Sequence, residues 1–139
     1  MWRIEELKGQ GEAAWEWYLR LPSFMRWEFQ IEDREDFLSI FEQGVNFGGY
    51  DDGLKVIVHG EDKGEILEGH LFCDPKADLN LIAAAISYGS KKVGRNILIE
   101  TPAKHKTLRK ILTNIGYKDM GLSAYRMRTV ETVHYFYEQ

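Results

Sequence analysis

The chain has 139 residues, of which 44% are hydrophobic and 29% are charged, and its formal net charge is −4. This length and balance are typical of one folded domain and exclude a disordered chain. The negative charge argues against nucleic acid as the main partner, and no run approaches the roughly 18 apolar residues of a membrane span. Because residues 1–20 hold no apolar signal core, we expect a single domain over residues 1–139, located in the cytoplasm.

The predicted elements begin with a strand, Trp2–Leu7, followed by two helices. The first helix, Gly11–Leu21, carries apolar residues at spacings that share one face, and Pro22 ends it. The second helix, Asp33–Gln43, begins with a capping aspartate and is followed by Gly44, which suits the position past a helix end. The residues predicted to be buried on these two helices are Ala14, Trp15, Tyr18, Leu21, Phe37, Ile40 and Phe41.

The periodicity then changes to that of strands, and three antiparallel strands are predicted. Val45–Tyr50 and Leu54–His59 flank Asp52-Gly53, which is a strong hairpin signal. Lys63-Gly64 offers a second turn before the third strand, Glu65–Asp74. The pattern predicts an antiparallel meander.

A crossover unit follows the meander. Pro75 breaks the third strand, Asp78 can cap a helix that ends at Gly94, and Asn96–Glu100 is a short apolar strand. A strand–helix–strand step of this length predicts a parallel pair with a right-handed connection, whose strands separate at their ends. The residues predicted to face inward along this helix are Leu79, Ile82, Ala83, Ile86 and Val93.

The last predicted elements are one helix and two strands. Thr101-Pro102 is typical of a helix cap followed by proline at the first helical position. The helix stops at Gly116, for which we predict a positive φ, and Tyr117 then starts the next strand. The inward residues of this helix are predicted to be Leu108, Ile111, Leu112 and Ile115, and the closing strands are Leu122–Met127 and Val130–Tyr137.

This order of elements, and three motifs in the second half, resemble the GNAT (N-acetyltransferase) fold. Gly69–Pro75 resembles the family's fourth strand, which often ends in a proline. Asn96–Glu100 resembles the fifth strand, and Leu108–Tyr117 resembles the closing helix with its Gly-Tyr ending. The resemblance implies an α/β (α+β) fold with a mixed, mostly antiparallel sheet, a central parallel strand pair and helices on both faces.

The resemblance also implies a function. GNAT proteins transfer an acyl group from acetyl-CoA to an amine, so the implied partner is a small-molecule or protein acceptor. The short, glycine-poor sequence is similar as well to small GNAT-like proteins encoded by bacteriophages, some of which serve in virion assembly. The alternative function is therefore a non-catalytic binding or assembly protein of a bacteriophage particle, in the host cytoplasm or the virion.

The sequence departs from the family where the cofactor binds. The family's loop after the fourth strand carries an Arg/Gln-x-x-Gly-x-Gly/Ala pattern, because glycines let backbone N–H groups approach the pyrophosphate of acetyl-CoA. Residues 76–83 hold no glycine, and the family's usual Tyr, a general acid, falls on Leu112. We therefore predict no tight binding of acetyl-CoA by the usual route. The positions that match the family's cofactor contacts are Cys73, Lys76, Asp78, Leu79 and His105.

Two titratable residues are candidates for catalysis. Glu68 and His70 are two residues apart on a predicted strand and so share one face, and the family often places a general base on this strand. If Lys63-Gly64 is a two-residue loop, His59 lies across from Glu68, whereas a loop one residue longer sends His59 to the other face. The alternative is a polar pair satisfied by backbone or water. A metal site formed by His59, Glu68 and His70 is a further alternative, but the spacing of these residues matches no standard motif, so no metal is predicted.

Four tryptophans lie within the first 27 residues. Trp15 fits the buried stripe of its helix. Trp17 lies on the flank of the same helix and, together with Trp27 and Phe29, is a candidate apolar surface for a protein partner. The alternative is that these side chains pack under the segment from Ser23 to Ile31.

Overall fold

The computed structural model describes residues 2–22, 31, 33–127 and 130–139. These residues form seven strands and four helices. In chain order they are β1 (Arg3–Glu6), α1 (Gly11–Leu19), α2 (Arg34–Gln43), β2 (Val45–Tyr50), β3 (Leu54–Asp62), β4 (Ile66–Cys73), α3 (Leu79–Lys92), β5 (Asn96–Pro102), α4 (Lys106–Ile115), β6 (Lys118–Met127) and β7 (Val130–Tyr137).

The strands form one sheet in the order β1-β2-β3-β4-β5-β7-β6, in which β4 and β5 are parallel and the other neighbours are antiparallel. The predicted meander and parallel pair are therefore confirmed. Pairing between β4 and β5 ends at Gly69 and Ile99. Beyond that pair, β4 remains bonded to β3 as far as Cys73, and β5 remains bonded to β7 as far as Pro102. The two central strands thus separate into a fork, as predicted.

Helices cover both faces of this sheet. Consecutive strand residues point to opposite faces, so the neighbours Val56 and Ile57 of β3 enter different clusters. Val56 joins a buried cluster with residues of α3 and α4, such as Leu81 and Leu112. Ile57 joins the cluster that contains α1 and α2. None of the described helices is long and apolar enough to cross a membrane.

The start of α4 differs from the prediction. Thr101 and Pro102 are the last residues of β5 and pair with β7 instead of starting a helix. The next backbone N–H, of Ala103, donates to Glu131 O at 2.8 Å, which continues the pairing. The helix begins at Lys106, and its cap is His105, whose Nδ1 accepts from the Leu108 N–H at 3.3 Å. Proline is tolerated here because it lies at the end of the strand.

The inward face of α3 is also turned relative to the prediction. Leu79 is 56% exposed, whereas Leu81 and Ala85 are completely buried. The buried stripe includes Gly89, at which a Cβ would lie 3.1 Å from the Phe47 ring. The small residues Ala85 and Gly89 let this stripe approach the sheet closely, so it faces inward together with Leu81 and leaves Leu79 exposed.

Helix α1 ends at Leu19, two residues before the predicted end at Leu21, whereas the predicted ends of α2 and α4 are found. Asp33 caps α2 by accepting from the Glu35 N–H at 2.8 Å. Gly116 follows α4 with φ +121°, which confirms the predicted positive φ. Strand β6 begins at Lys118, one residue after the predicted strand start at Tyr117 and four residues before the predicted strand Leu122–Met127.

Candidate functional site

The turn between β3 and β4 fixes which side chains meet. Lys63 N–H donates to Ile66 O at 3.0 Å, so the two-residue loop is Gly64-Glu65. Gly64 has φ +95°, a conformation that favours glycine at the first position of a tight hairpin turn. The predicted loop, Lys63-Gly64, was therefore one residue too early. As a result His59 lies opposite His70 instead of opposite Glu68.

Two mirrored triplets pair across this hairpin. His59-Gly60-Glu61 of β3 lies antiparallel to Glu68-Gly69-His70 of β4, residue against residue. Because side chains alternate along a strand, both histidines and both glutamates lie on one face of the sheet, the face that carries α1 and α2. The sequence placed Glu68 and His70 on one face, left the position of His59 dependent on the loop, and gave no indication of Glu61. The signal that could have found it is the mirrored order of the two triplets about the turn.

His70 lies between the two carboxylates. Its Nε2 is 3.4 Å from Glu61 Oε2 and 3.5 Å from Glu68 Oε1. The His70 side chain is only 14% exposed, and burial lowers its pKa below the usual value although both carboxylates act to raise it. Burial also acts to raise the pKa of Glu61, but Lys63 and His70 together lower it. A neutral imidazole beside two carboxylates can accept a proton or coordinate a cation.

His59 is held in one protonation state. It is 4% exposed, and its Nδ1 lies 2.5 Å from Asn46 Oδ1. Asn46 donates its amide N–H to Phe41 O at 2.7 Å, so its oxygen is left to accept, and His59 carries its proton on Nδ1. Burial, assisted by the nearby His70, lowers the pKa of His59 to about 4. The ring stacks on His70 with 6.0 Å between centroids, and a Cβ on Gly44 would collide with it.

The fork between β4 and β5 lies next to this cluster. His70 is the first residue of β4 beyond the last pair, Gly69 with Ile99. A cavity of about 60 Å³ lies at the fork, which is room for only a few water molecules. Tyr117 lines it and shares a 2.6 Å hydrogen bond with Ser90, while burial raises the pKa of Tyr117 to about 12. Most of the lining is apolar and includes Val58, Leu71, Ile86, Leu108 and Leu112.

The loop between β4 and α3 uses its backbone donors internally. Asp74 accepts from Lys76 N–H through Oδ1 at 2.8 Å and from Ala77 N–H through its carbonyl at 2.9 Å. Asp78 caps α3 by accepting from Asn80 N–H at 2.7 Å. Two carboxylates thus lie where the fold would have to hold a pyrophosphate, and three N–H groups are already bonded. These residues do not fit acetyl-CoA in the usual manner.

The other residues predicted to contact a cofactor are dispersed over several elements. Cys73 is buried in the apolar cluster, as a small hydrophobic residue would be. Lys76 is exposed in the loop, and Leu79 is exposed on a groove between α3 and α4. His105 caps α4, and Leu112, to which the sequence resemblance assigns the position of the family's general acid, is completely buried.

The predicted partner surface is wrong at Trp17. This side chain is buried, and its Nε1 donates to Leu54 O at 2.8 Å. Helix α1 packs against α2 and also contacts residues of the sheet, so its buried face is wider than one stripe and includes the flank. The other two residues of that surface, Trp27 and Phe29, lie outside the described residues.

Neither a protein-family model nor a curated protein matches the sequence. Solved structures match the backbone nearly end to end. The ribosomal-protein-S18-alanine N-acetyltransferase from Escherichia coli superposes with a TM-score of 0.73 at 15% identity, over 98% of this chain and 92% of that one. An N-acetyltransferase from Staphylococcus aureus Mu50 gives 0.73 at 17% identity, over 99% and 97%. A GNAT-family acetyltransferase from Bacillus cereus ATCC 10987 gives 0.74 at 10% identity, over 100% and 98%.

The chain has the GNAT fold. The fold class predicted from the motifs of the second half is thus confirmed over the whole chain, including the first four elements, for which the sequence offered only their order. At these identities the likeness concerns the fold, and function has to be argued from the residues of the site.

Proposed function

We propose that this chain is a GNAT-fold binding protein that does not use acetyl-CoA through the loop after β4. The observation that carries the proposal is the bonding of that loop to itself. Asp74 and Asp78 occupy the N–H groups of Lys76, Ala77 and Asn80. A diphosphate would have to displace two carboxylates from positions where they stabilise the chain.

Electrostatics support the same proposal. The N-terminus of α3 carries a partial positive charge that attracts anions, and Asp78 already satisfies it. Lys76 is exposed, so it supplies only a weak attraction that salt screens.

The proton donor that the family's reaction uses is also missing from its place. Leu112 stands there and cannot donate a proton. The nearby Tyr117 hydroxyl shares a short hydrogen bond with Ser90 in the interior, and its pKa of about 12 keeps it protonated at neutral pH. Its proton is therefore poorly suited to transfer near pH 7.

A thermal-shift titration tests the proposal. A ligand present at 100 times its dissociation constant stabilises a fold by about 2.7 kcal/mol, which raises the melting temperature of a domain of this size by several degrees. We expect a shift below about 1 °C in 1 mM acetyl-CoA or CoA at physiological salt. A rise of several degrees in the unaltered protein would contradict the proposal.

A matched pair of variants shows whether any binding of acetyl-CoA takes place at the loop after β4. Asp78→Gly opens the loop, whereas Asp33→Gly removes the same kind of cap from α2. If acetyl-CoA stabilises Asp78→Gly and not Asp33→Gly, the carboxylate is what keeps the cofactor out. Equal behaviour of the two variants would mean that the loop plays no part.

A second candidate function is acyl transfer to an amine of a small molecule or protein, which is favoured by one observation. His70 is neutral, lies at the fork and contacts two carboxylates. In this function the acceptor amine would attack the thioester carbonyl of an acyl-CoA, the C–S bond would break, and CoA would leave as a thiolate that takes a proton from water. His70 would take the proton that the amine loses, and Glu61 and Glu68 would stabilise the resulting imidazolium. Acetylation of a polyamine or peptide amine that is abolished by His70→Gln, and not by His105→Gln, would support it over the first proposal.

The kind of partner follows from the sequence resemblance. We propose that residues 1–139 act as one domain that binds another protein, and a bacteriophage particle is the assembly that the resemblance implies. Co-sedimentation with purified bacteriophage particles tests this part, and failure to co-sediment would oppose it.

A further inference from the structure

We propose that Glu61, Glu68 and His70 bind one divalent metal ion of the zinc type, in addition to the function proposed above. The three side chains come from two neighbouring strands, and their ligand atoms all lie within 4.8 Å of one another. Three protein ligands leave a fourth position for water or a ligand, because zinc is usually four-coordinate.

The distances between the three side chains match those between ligands of one metal ion. Ligand atoms about 2.1 Å from a tetrahedral zinc ion lie about 3.4 Å from each other. His70 Nε2 is 3.4 Å from Glu61 Oε2 and 3.5 Å from Glu68 Oε1. Charge-assisted hydrogen bonds are shorter, at about 2.7–2.9 Å. The gap between the three side chains thus has the size that a small cation requires.

The charges also favour a divalent cation. Glu61 and Glu68 lie directly opposite each other on paired strands, an arrangement in which like charges destabilise the sheet. Lys63 Nζ lies 3.2 Å from Glu61 Oε1 and offsets one of the two charges. A dication would balance both. Magnesium and calcium prefer oxygen ligands alone, whereas zinc accepts imidazole and carboxylate together.

The ring of His70, the proposed imidazole ligand, is held in place by the neighbouring ring of His59. The His59 ring stacks on His70 and is itself hydrogen-bonded to the buried Asn46. His59 is therefore a positioning residue for His70. Support of this kind commonly orients metal ligands and adds to metal affinity.

The sequence predicted no metal because its ligand spacing matches no standard motif. Glu61, Glu68 and His70 become neighbours only when the two strands pair with Gly64-Glu65 as the loop. The loop predicted from the sequence, Lys63-Gly64, would not have placed Glu61 opposite Glu68.

Zinc titration of the full chain tests the proposal. The protein is treated with EDTA, dialysed and titrated with ZnCl₂ by calorimetry, and with CoCl₂ while the visible absorption is recorded. We expect one ion per chain, low-micromolar affinity or better, and the intense visible bands of a four-coordinate cobalt site. Loss of an outer-shell partner alone typically costs 10- to 100-fold in affinity, so Glu61→Gln and Glu68→Gln should each weaken zinc binding at least about tenfold. MgCl₂ should not bind.

Control variants separate this site from others. Glu65→Gln changes the exposed turn beside the site and should leave zinc affinity unchanged. His134→Gln removes the other described histidine–glutamate pair, in which Nε2 lies 2.7 Å from Glu100 Oε2, and should also leave it unchanged. Lys63→Gln removes a competing cation and should strengthen binding about two- to fivefold.

Three results would overturn the proposal: no zinc binding, zinc binding that survives both Glu61→Gln and Glu68→Gln, or zinc binding that is lost in His134→Gln. Both glutamates are partly exposed, so these isosteric variants keep the test independent of whether His70→Gln folds. The acetyl-CoA titration uses a different ligand and different residues, so either result can fail without the other.

Discussion

Acidic side chains near the two ends of strand β4 make different kinds of contact. After Cys73, the carboxylates of Asp74 and Asp78 accept hydrogen bonds from the backbone N–H groups two residues later in the chain. Along the strand, Glu61 and Glu68 lie beside an imidazole at distances too long for strong hydrogen bonds.

The difference follows from side-chain length and backbone geometry. Aspartate in a turn reaches the N–H two residues ahead, because its short side chain mimics a backbone turn. In a strand the backbone N–H groups are already bonded to the neighbouring strand, so a glutamate there points its charge away from the sheet. Carboxylates therefore oppose the binding of a diphosphate at one end of β4, and at the other end they are the ligands of the proposed metal site.

The hairpin end should be the more sensitive of the two, because its polar groups are buried. Asn46→Leu keeps the volume of the side chain and leaves the His59 Nδ1–H and the Phe41 carbonyl without their partner. We expect the free energy of unfolding to fall by about 3–4 kcal/mol, measured by urea denaturation. Asn80→Leu, at an exposed position of α3, should change it by less than about 0.5 kcal/mol. If both variants lowered the free energy of unfolding by similar amounts, the hairpin end would not be the more sensitive of the two.

Acid should destabilise the hairpin end through His59. Above pH 6.5 this residue is neutral in both the folded and the unfolded chain. Between pH 6.5 and about 4 the unfolded chain binds the proton and the folded chain does not. The free energy of unfolding should therefore fall by roughly 3 kcal/mol over that window.

Denaturation in EDTA at several pH values measures this effect. His59→Gln should make the dependence less steep, because it removes one of the two buried histidines whose pKa lies below the usual value. His105→Gln serves as the control for the loss of a histidine. If His59→Gln kept the full slope, the proton uptake would have to belong to another group.

The loop end should respond least. Asp78→Ala removes the cap of α3 and should cost about 1 kcal/mol, while Asp78→Ser should recover most of that loss. The reason is that the capped N–H is exposed and water can replace the carboxylate. Thermal melts of the two variants measure the difference, and a loss of 3 kcal/mol or more in Asp78→Ala would place this loop on a par with the hairpin.

Local signals predicted most of the fold. The caps at Asp33 and Asp78, the turn at Asp52-Gly53 and the helix end at Gly116 each depend on a few adjacent residues, and the structure shows all of them. The element order followed from these signals, and the motifs of the second half then indicated the fold.

Features that depend on distant partners were not predictable in the same way. Whether Thr101 continues a strand depends on β7, to which it pairs, and not on its own neighbours. The buried indole N–H of Trp17 needs a hydrogen-bond partner, and it finds one in the Leu54 carbonyl, 37 residues away. The register of β3 against β4 depends on which residue takes the first position of the turn, and a one-residue error there hid Glu61.

The mirrored triplets place His59 directly opposite His70 and Glu61 directly opposite Glu68. Within the hairpin alone, each histidine therefore has the same neighbours along its strand, a glycine and then a glutamate. The strands on either side make the surroundings of the two histidines different, since β2 brings Asn46 to His59 while β5 lies beside the strand of His70. Two histidines in matching local sequence thus become chemically distinct, one locked as a single tautomer in the interior and one facing two carboxylates. The asymmetry is imposed by the rest of the sheet, so it would be lost if the hairpin were transplanted alone.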